Sequence, residues 1–302
     1  MLNTSVSDNT IDAYNTGLNS FNSFRSLYEL QELWPPTIEQ IVMFVSWLSL
    51  QGLAHSTARL YVKAVGFQCK MKIVSDVTRH YVIEKALEGF KRSSSGKARK
   101  SRLPITPQLL QRILSVIPVV CSNSYESYLF SAAYCLAFAA FLRVSELAVS
   151  STKYVSNVLL NSDVEVNEKD GTAKITIRFS KTDQAGVGSV LIINRTGTEL
   201  CAVSRLVEFV KRRPPIVGPF FCHLNGKPLT QYQFTAILKK CVCSFQPDYG
   251  KFTSHSFRIG AATAAAMAGY SVETIKQAGR WRSDAYRRYL KPESICTLPV
   301  LT

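Results

Sequence analysis

Apolar residues recur at i, i+3, i+4 and i+7 through much of the first ninety positions, as at Ile38, Ile41, Val42, Val45 and Leu48. That spacing gives a helix one apolar face. Pro35-Pro36-Thr37 breaks the chain just before this run and offers a threonine N-cap. Further helices are predicted after Ser56-Thr57 and after Asp76-Val77-Thr78, so residues 1–90 read as a small four-helix domain. Helical periodicity resumes beyond Pro104, with Thr106 as a cap and Pro107 in the first turn. Residues 128–142 form the most apolar run; it is shorter than the ~18 residues that span a bilayer and predicts a buried core helix. The period then changes. Residues 173–179 alternate apolar and polar, 189–193 are rich in β-branched residues, and a Gly-containing turn separates them, which predicts a β-hairpin. Helix returns at 199–211, 230–244, 254–268 and 272–278. The fold class is therefore mainly α with a small β-hairpin or sheet (α+β).

Length and charge sharpen this picture. A chain of 302 residues with 46% hydrophobic content can bury two ordinary domain cores. Its net charge of +15 and pI near 9.5 call for an anionic partner, for which nucleic acid is the first choice and a membrane surface the second. The surplus is unevenly placed: residues 1–90 carry seven Lys or Arg against eight Asp or Glu. Residues 91–102, KRSSSGKARKSR, hold six basic residues (Lys91, Arg92, Lys97, Arg99, Lys100, Arg102) and no acid. Residues 91–103 thus read as a flexible cationic linker, either a solvated hinge or a strap along a DNA backbone. The polar start lacks the pattern of a secretory signal, so an intracellular location is expected. The eight cysteines lack the spacing of a zinc site or a disulfide framework. Cys222-His223 with Cys241 and Cys243 fits metal coordination poorly, and reduced core thiols are the better reading.

Candidate chemistry is concentrated late in the chain. Arg143 follows the apolar run with Glu146 three residues on, either as a structural ion pair or with Glu146 orienting a guanidinium towards a phosphate. Lys181 falls at the hairpin tip, where a solvated lysine is the simple reading. His255 and Arg258 share one face of the first turn of a helix after Thr253-Ser254, an end that favours bound phosphate. Gly279-Arg280-Trp281 and Tyr289 come next. Trp281 alone is most simply a core aromatic, and Tyr286 shares a helical face with Tyr289 at i, i+3 spacing.

The ordered series Arg143, Lys181, His255, Arg258, Trp281 and Tyr289 on a basic two-domain chain resembles the tyrosine recombinases, the phage-integrase family. The segment from Gly279 to Tyr289 looks most like recombinases of eukaryotic mobile elements, the DIRS-like and Crypton groups. The resemblance implies a helical core-binding, DNA-clamping domain at 1–90, the basic linker at 91–103 and a catalytic domain at 104–302. It implies site-specific recombination for integration or excision, without metal or other cofactor. Tyr289 would attack a scissile phosphate to give a 3′-phosphotyrosyl intermediate, with Tyr286 as the competing nucleophile. Arg143 and Arg258 would hold the phosphoryl charge, His255 would assist proton transfer and Lys181 would protonate the leaving 5′-oxygen. The partners implied are double-stranded DNA and further copies of the chain, as a dimer or tetramer, in the nucleus if the source is eukaryotic. Two departures stand out: Trp281 occupies a place where many members have histidine, and thirteen residues follow Tyr289, little room for a C-terminal helix reaching a neighbouring protomer. The tail at 294–302 could instead add a strand to a sheet edge. A catalytically retired DNA-binding protein and a type IB topoisomerase are the alternatives.

Overall fold

The computed structural model describes residues 6, 8–94, 102–150, 158–178, 187–245 and 249–291. The chain divides into two compact units, Met1–Arg99 and Lys100–Thr302. The first contains helices α1 (Asp8–Leu27), α2 (Ile38–Leu50), α3 (His55–Met71) and α4 (Tyr81–Ser93). Thr37 caps α2 as predicted, its side chain accepting from the Gln40 N–H. α3 starts earlier than Ser56-Thr57, which fall inside its first turn after an Ala54 cap that offers no side-chain bond. Asp76 caps a 3-10 turn at Val77–Arg79 rather than a helix, and His80 caps α4, its side chain accepting from the Val82 N–H. α4 carries Lys91 and Arg92 in its last turn, so the predicted linker begins as helix, with cations at the negative end of the dipole. Lys97, Arg99 and Lys100 lie outside the described residues. Phe21, Phe24, Ile41, Phe44, Leu48, Val65 and Ile83 form the buried core.

Buried beside that core is Arg25. It donates from Nη2 to Asn22 Oδ1 (2.8 Å) and from Nη1 to the Leu33 carbonyl (3.3 Å), and lies over the rings of Phe21 and Trp34 at 4.7 and 5.3 Å.

The second unit contains α5 (Pro107–Val120), α6 (Ser124–Ala139), α7 (Val144–Leu147), β1 (Val164–Asn167), β2 (Thr172–Ile177), β3 (Ser189–Asn194), α8 (Ala202–Val210), α9 (Gln231–Cys243), α10 (His255–Met267) and α11 (Val272–Ala278). Thr106 caps α5 with Pro107 in the first turn, and Thr230 makes a reciprocal capping box with Gln233 at the start of α9. β2 is the central strand of an antiparallel sheet ordered β1-β2-β3, with Ile175 opposite Val164 and Leu191. The predicted hairpin is thus β2–β3, widened by β1, whose Val-Glu-Val-Asn alternation runs for only four residues. Ala173, Ile175 and Ile177 of β2 turn into the core. α8 starts at Ala202 rather than 199, because Cys201 serves as its cap, its sulfur accepting from the Ser204 N–H.

α6 is buried along most of its length. Its Tyr134 hydroxyl donates to the Phe234 carbonyl of α9 (2.8 Å), satisfying a polar atom deep in the core. α10 runs close to the segment that leads into α5: the Ile105 N–H donates to the Ser256 carbonyl (2.9 Å). A Cβ on Gly260 would lie 1.8 Å from the Ile105 carbonyl oxygen, so this approach requires glycine. No helix among the described residues is long and apolar enough to cross a membrane.

Candidate active site

Two helix ends and one short cap build the site. α6 ends with Ala140 as C-cap and Phe141 in the left-handed region (φ 51°). The Leu142 N–H returns to the Ala137 carbonyl and the Phe141 N–H to Phe138. α11 ends the same way: Gly279 is the C-cap, Arg280 has φ 54°, Trp281 N–H returns to Lys276 and Arg280 N–H to Gln277. Both are Schellman turns built on a residue other than glycine. Such turns leave carbonyls at the negative end of the helix dipole without partners. Arg258, on α10, supplies them: Nη1 donates to the Phe141 carbonyl and Nη2 to the Gly279 carbonyl. One guanidinium therefore closes two helices that meet from distant parts of the sequence.

Arg143 is the N-cap of α7. Its backbone N–H donates to Glu146 Oε2 (2.9 Å) and its Nη1 to Glu146 Oε1 (3.1 Å). Arg280 reaches the same carboxylate, Nη2 to Oε2 at 2.7 Å, and also donates from Nη1 to the Ala140 carbonyl (3.4 Å). Arg143 and Arg280 thus share a single buried carboxylate, whose charge also acts on Arg258. Burial lowers the pKa of Arg258, and the adjacent Arg143 and Arg280 lower it further against the pull of Glu146 and Tyr289. Burial likewise lowers that of Arg280, with Glu146 opposing. Guanidinium groups keep their protons at neutral pH under such stress, so the site holds more positive than negative charge. The Nε atoms of Arg258 and Arg280 are buried without a hydrogen-bond partner among the described residues.

The aromatic residues divide by exposure. Trp281 and Tyr286 are buried in a cluster with Phe141, Ala261, Ala262 and Ile275, while Tyr289 is half-buried at its edge. Tyr289 ends a 3-10 helix, Asp284–Tyr289, and its ring lies 5.0 Å from the indole of Trp281. The Arg258 guanidinium sits 4.3 Å from the Trp281 ring and 5.6 Å from that of Tyr289. Gly279 makes room for this packing, because a Cβ there would fall 1.8 Å from the indole.

The structure brings Arg143, Glu146, Arg258, Trp281 and Tyr289 together. His255 is half-buried as the first residue of α10, one turn before Arg258. Lys181 lies outside the described residues. Arg258 is fully buried, because the carbonyls of two helix ends claim it. Trp281 presents a packing surface, and the side chain from that segment that joins the charged cluster is Arg280, which the sequence reading passed over. The signal available for it was an arginine placed directly after a glycine at a helix end. His223 pairs with Glu126 (2.7 Å) and Gln233 (3.1 Å), and no cluster of His, Cys, Asp or Glu fit for a metal occurs among the described residues.

No protein-family model matches the chain. An integrase/recombinase XerD homolog of Selenomonas ruminantium is 24% identical over 311 residues, spanning 97% of this chain and 84% of the relative. The fold is that of the Tn1549 transposon integrase in complex with transposon right end DNA, with TM-score 0.61 and 15% identity over 96% of this chain and 92% of that one. A lambda integrase dimer bound to a COC′ core site matches with TM-score 0.63 and 15% identity over 95% of this chain and 73% of that one. XerH bound to palindromic difH substrate, in a post-cleavage complex, matches at 0.59 and 14% identity over 93% and 76%. In fold, and over almost its whole length, the chain is similar to tyrosine recombinases and integrases.

Proposed function

We propose that the protein is a site-specific DNA recombinase that cuts and rejoins strands through a 3′-phosphotyrosyl link. The observation that carries this reading is the excess of guanidinium over carboxylate at Arg143, Glu146, Arg258 and Arg280, set against a half-buried tyrosine. A phosphodiester answers that excess, and its charge grows in the transition state, where fixed cations act most strongly. The Tyr289 oxygen bonds to phosphorus as the bond to the 5′-oxygen breaks. His255 assists proton transfer at the attacking hydroxyl, and Lys181 returns a proton to the leaving oxygen. Rejoining reverses these steps, so the bond energy stays in the protein–DNA link. Tyr289 is preferred over Tyr286 because Tyr286 is buried in the apolar cluster.

The relatives are a recombinase homolog and integrases captured on DNA, one of them from a transposon and one a dimer, which supports a duplex DNA substrate, action on a mobile element and assembly of copies on the DNA. The eukaryotic-element subgroup rests on the Gly279 to Tyr289 segment, and a nuclear location on that likeness together with the basic run from Lys97 to Arg102. In the clamp reading, residues 1–90 and 104–302 grip the duplex, and Lys91, Arg92, Lys97, Arg99, Lys100 and Arg102 follow its backbone.

The test is covalent capture. Wild type, Tyr289→Phe and Tyr286→Phe are incubated with a pool of nicked duplexes of randomised sequence and run on a denaturing gel. The adduct is expected from wild type and Tyr286→Phe and not from Tyr289→Phe, while all three retain binding that weakens steeply with salt. Tight binding without any adduct would establish instead a retired DNA-binding protein. Supercoil relaxation without strand exchange between two sites would identify a topoisomerase.

A further inference from the structure

Glu146 divides its two oxygens between two arginines. Oε1 accepts from Arg143 Nη1, and Oε2 accepts from Arg280 Nη2 and from the Arg143 backbone N–H. This division has a consequence for Arg143. A guanidinium facing a carboxylate tends to close on it with two parallel bonds. Here the second oxygen is already occupied at 2.7 Å, so Arg143 makes one side-chain bond to Glu146, and the rest of its fork is unclaimed among the described residues.

We propose that Arg280 is a positioning residue for strand cleavage: by holding Glu146 Oε2, it keeps the carboxylate from closing the Arg143 fork, which is thereby free for the scissile phosphate. The inference rests on the recombinase reading and extends it to a residue outside the series Arg143, Lys181, His255, Arg258, Trp281 and Tyr289. The backbone places Arg280 for this work. Its left-handed conformation (φ 54°) at the end of α11 sends consecutive side chains to different destinations, Arg280 to Glu146 and Trp281 into the apolar cluster. A second anchor, Nη1 to the Ala140 carbonyl, ties Arg280 to the end of α6, just before Arg143. The left-handed region favours glycine, so arginine at this position is held there by what its side chain does.

Arg280→Gly suits the test because glycine adopts the same backbone without strain while the guanidinium is lost. DNA affinity and the first-order rate of covalent joining from bound DNA are measured separately on the randomised nicked-duplex pool. Arg280→Gly is expected to slow joining by about 100-fold, the scale of losing one fixed group that shapes a charge-binding site, while affinity stays within about threefold because backbone contacts elsewhere dominate it. Arg280→Lys, which keeps a cation for Oε2, should lose less than about tenfold by the same reasoning. The decisive variant is Arg280→Gly combined with Glu146→Gln. A neutral amide competes poorly for Arg143, so the double variant should join DNA at least about tenfold faster than Arg280→Gly alone, a coupling between neighbours that a merely structural role would not produce.

The proposal is overturned if Arg280→Gly joins bound DNA within about threefold of wild type, a coupling too small to matter, or if the double variant is no faster than the single one. Should Arg280→Gly fail to fold, the lysine variant decides: folded and as slow as expected for Arg280→Gly, it overturns the proposal. A wild type that forms no adduct overturns the recombinase reading itself, a result distinct from all of these.

Discussion

Arg25 and Arg258 are buried arginines, one in each unit, and their local solutions are alike. Each donates two hydrogen bonds to nearby acceptors, and each lies over two aromatic rings, Phe21 and Trp34 for the first, Trp281 and Tyr289 for the second. They part in the charge around them. Burial weakens the hold of both on their protons, but Glu32 pulls the pKa of Arg25 back up, whereas Arg143 and Arg280 push that of Arg258 further down. A buried guanidinium answered by an acid stabilises a fold. One set beside two more cations around a single carboxylate leaves a demand for an anion unmet, and that imbalance marks a site where burial alone does not.

Replacing each arginine in turn breaks the comparison most sharply. Arg258→Lys keeps one charge but cannot span two helix ends with a planar fork; covalent joining from bound DNA is expected to fall by about 10²–10³-fold. A rate within threefold of wild type, read from the denaturing gel, would put Arg258 in the same class as Arg25. Next in size is Arg25→Met, which leaves the Leu33 carbonyl and Asn22 side chain without their donor. It should cost about 1–3 kcal/mol of stability, measured by denaturant unfolding, with joining per folded molecule unchanged. A loss of joining in the folded fraction would extend the site into the first unit. The smallest effects sharpen the likeness: Trp34→Phe and Trp281→Phe each keep a ring over their arginine and should each cost about 1 kcal/mol. A stability loss several times larger for one of them would show that the two ring settings are not equivalent.

The fold was legible wherever local chemistry decides it. Thr37, Thr106 and Thr230 cap helices that the apolar periodicity had announced, and α11 begins and ends where the pattern places it. The misplacements have local causes too. Ala54, without a side-chain acceptor, starts α3 where Ser56-Thr57 looked the better signal, and four-residue β1 acquires meaning only from its pairing with β2. At the site, residue types and order pointed to Arg143, His255, Arg258 and Tyr289. What the sequence did not disclose was direction. The left-handed turn sends Arg280 to Glu146, 134 residues earlier in the chain, and Trp281 the other way, into the space beside Gly279; the first of these contacts leaves no local trace in the sequence.

The glycine contact between α10 and the start of the second unit also sets a path for mechanical load. The chain enters this unit through Leu103 and Ile105, whose N–H groups are tied to the carbonyls of Lys251 and Ser256 on either side of His255. With hydrogen alone at Gly260 there is no cushion between the two backbones. Tension applied to the chain at Leu103 is therefore delivered to the turn that carries His255 and Arg258.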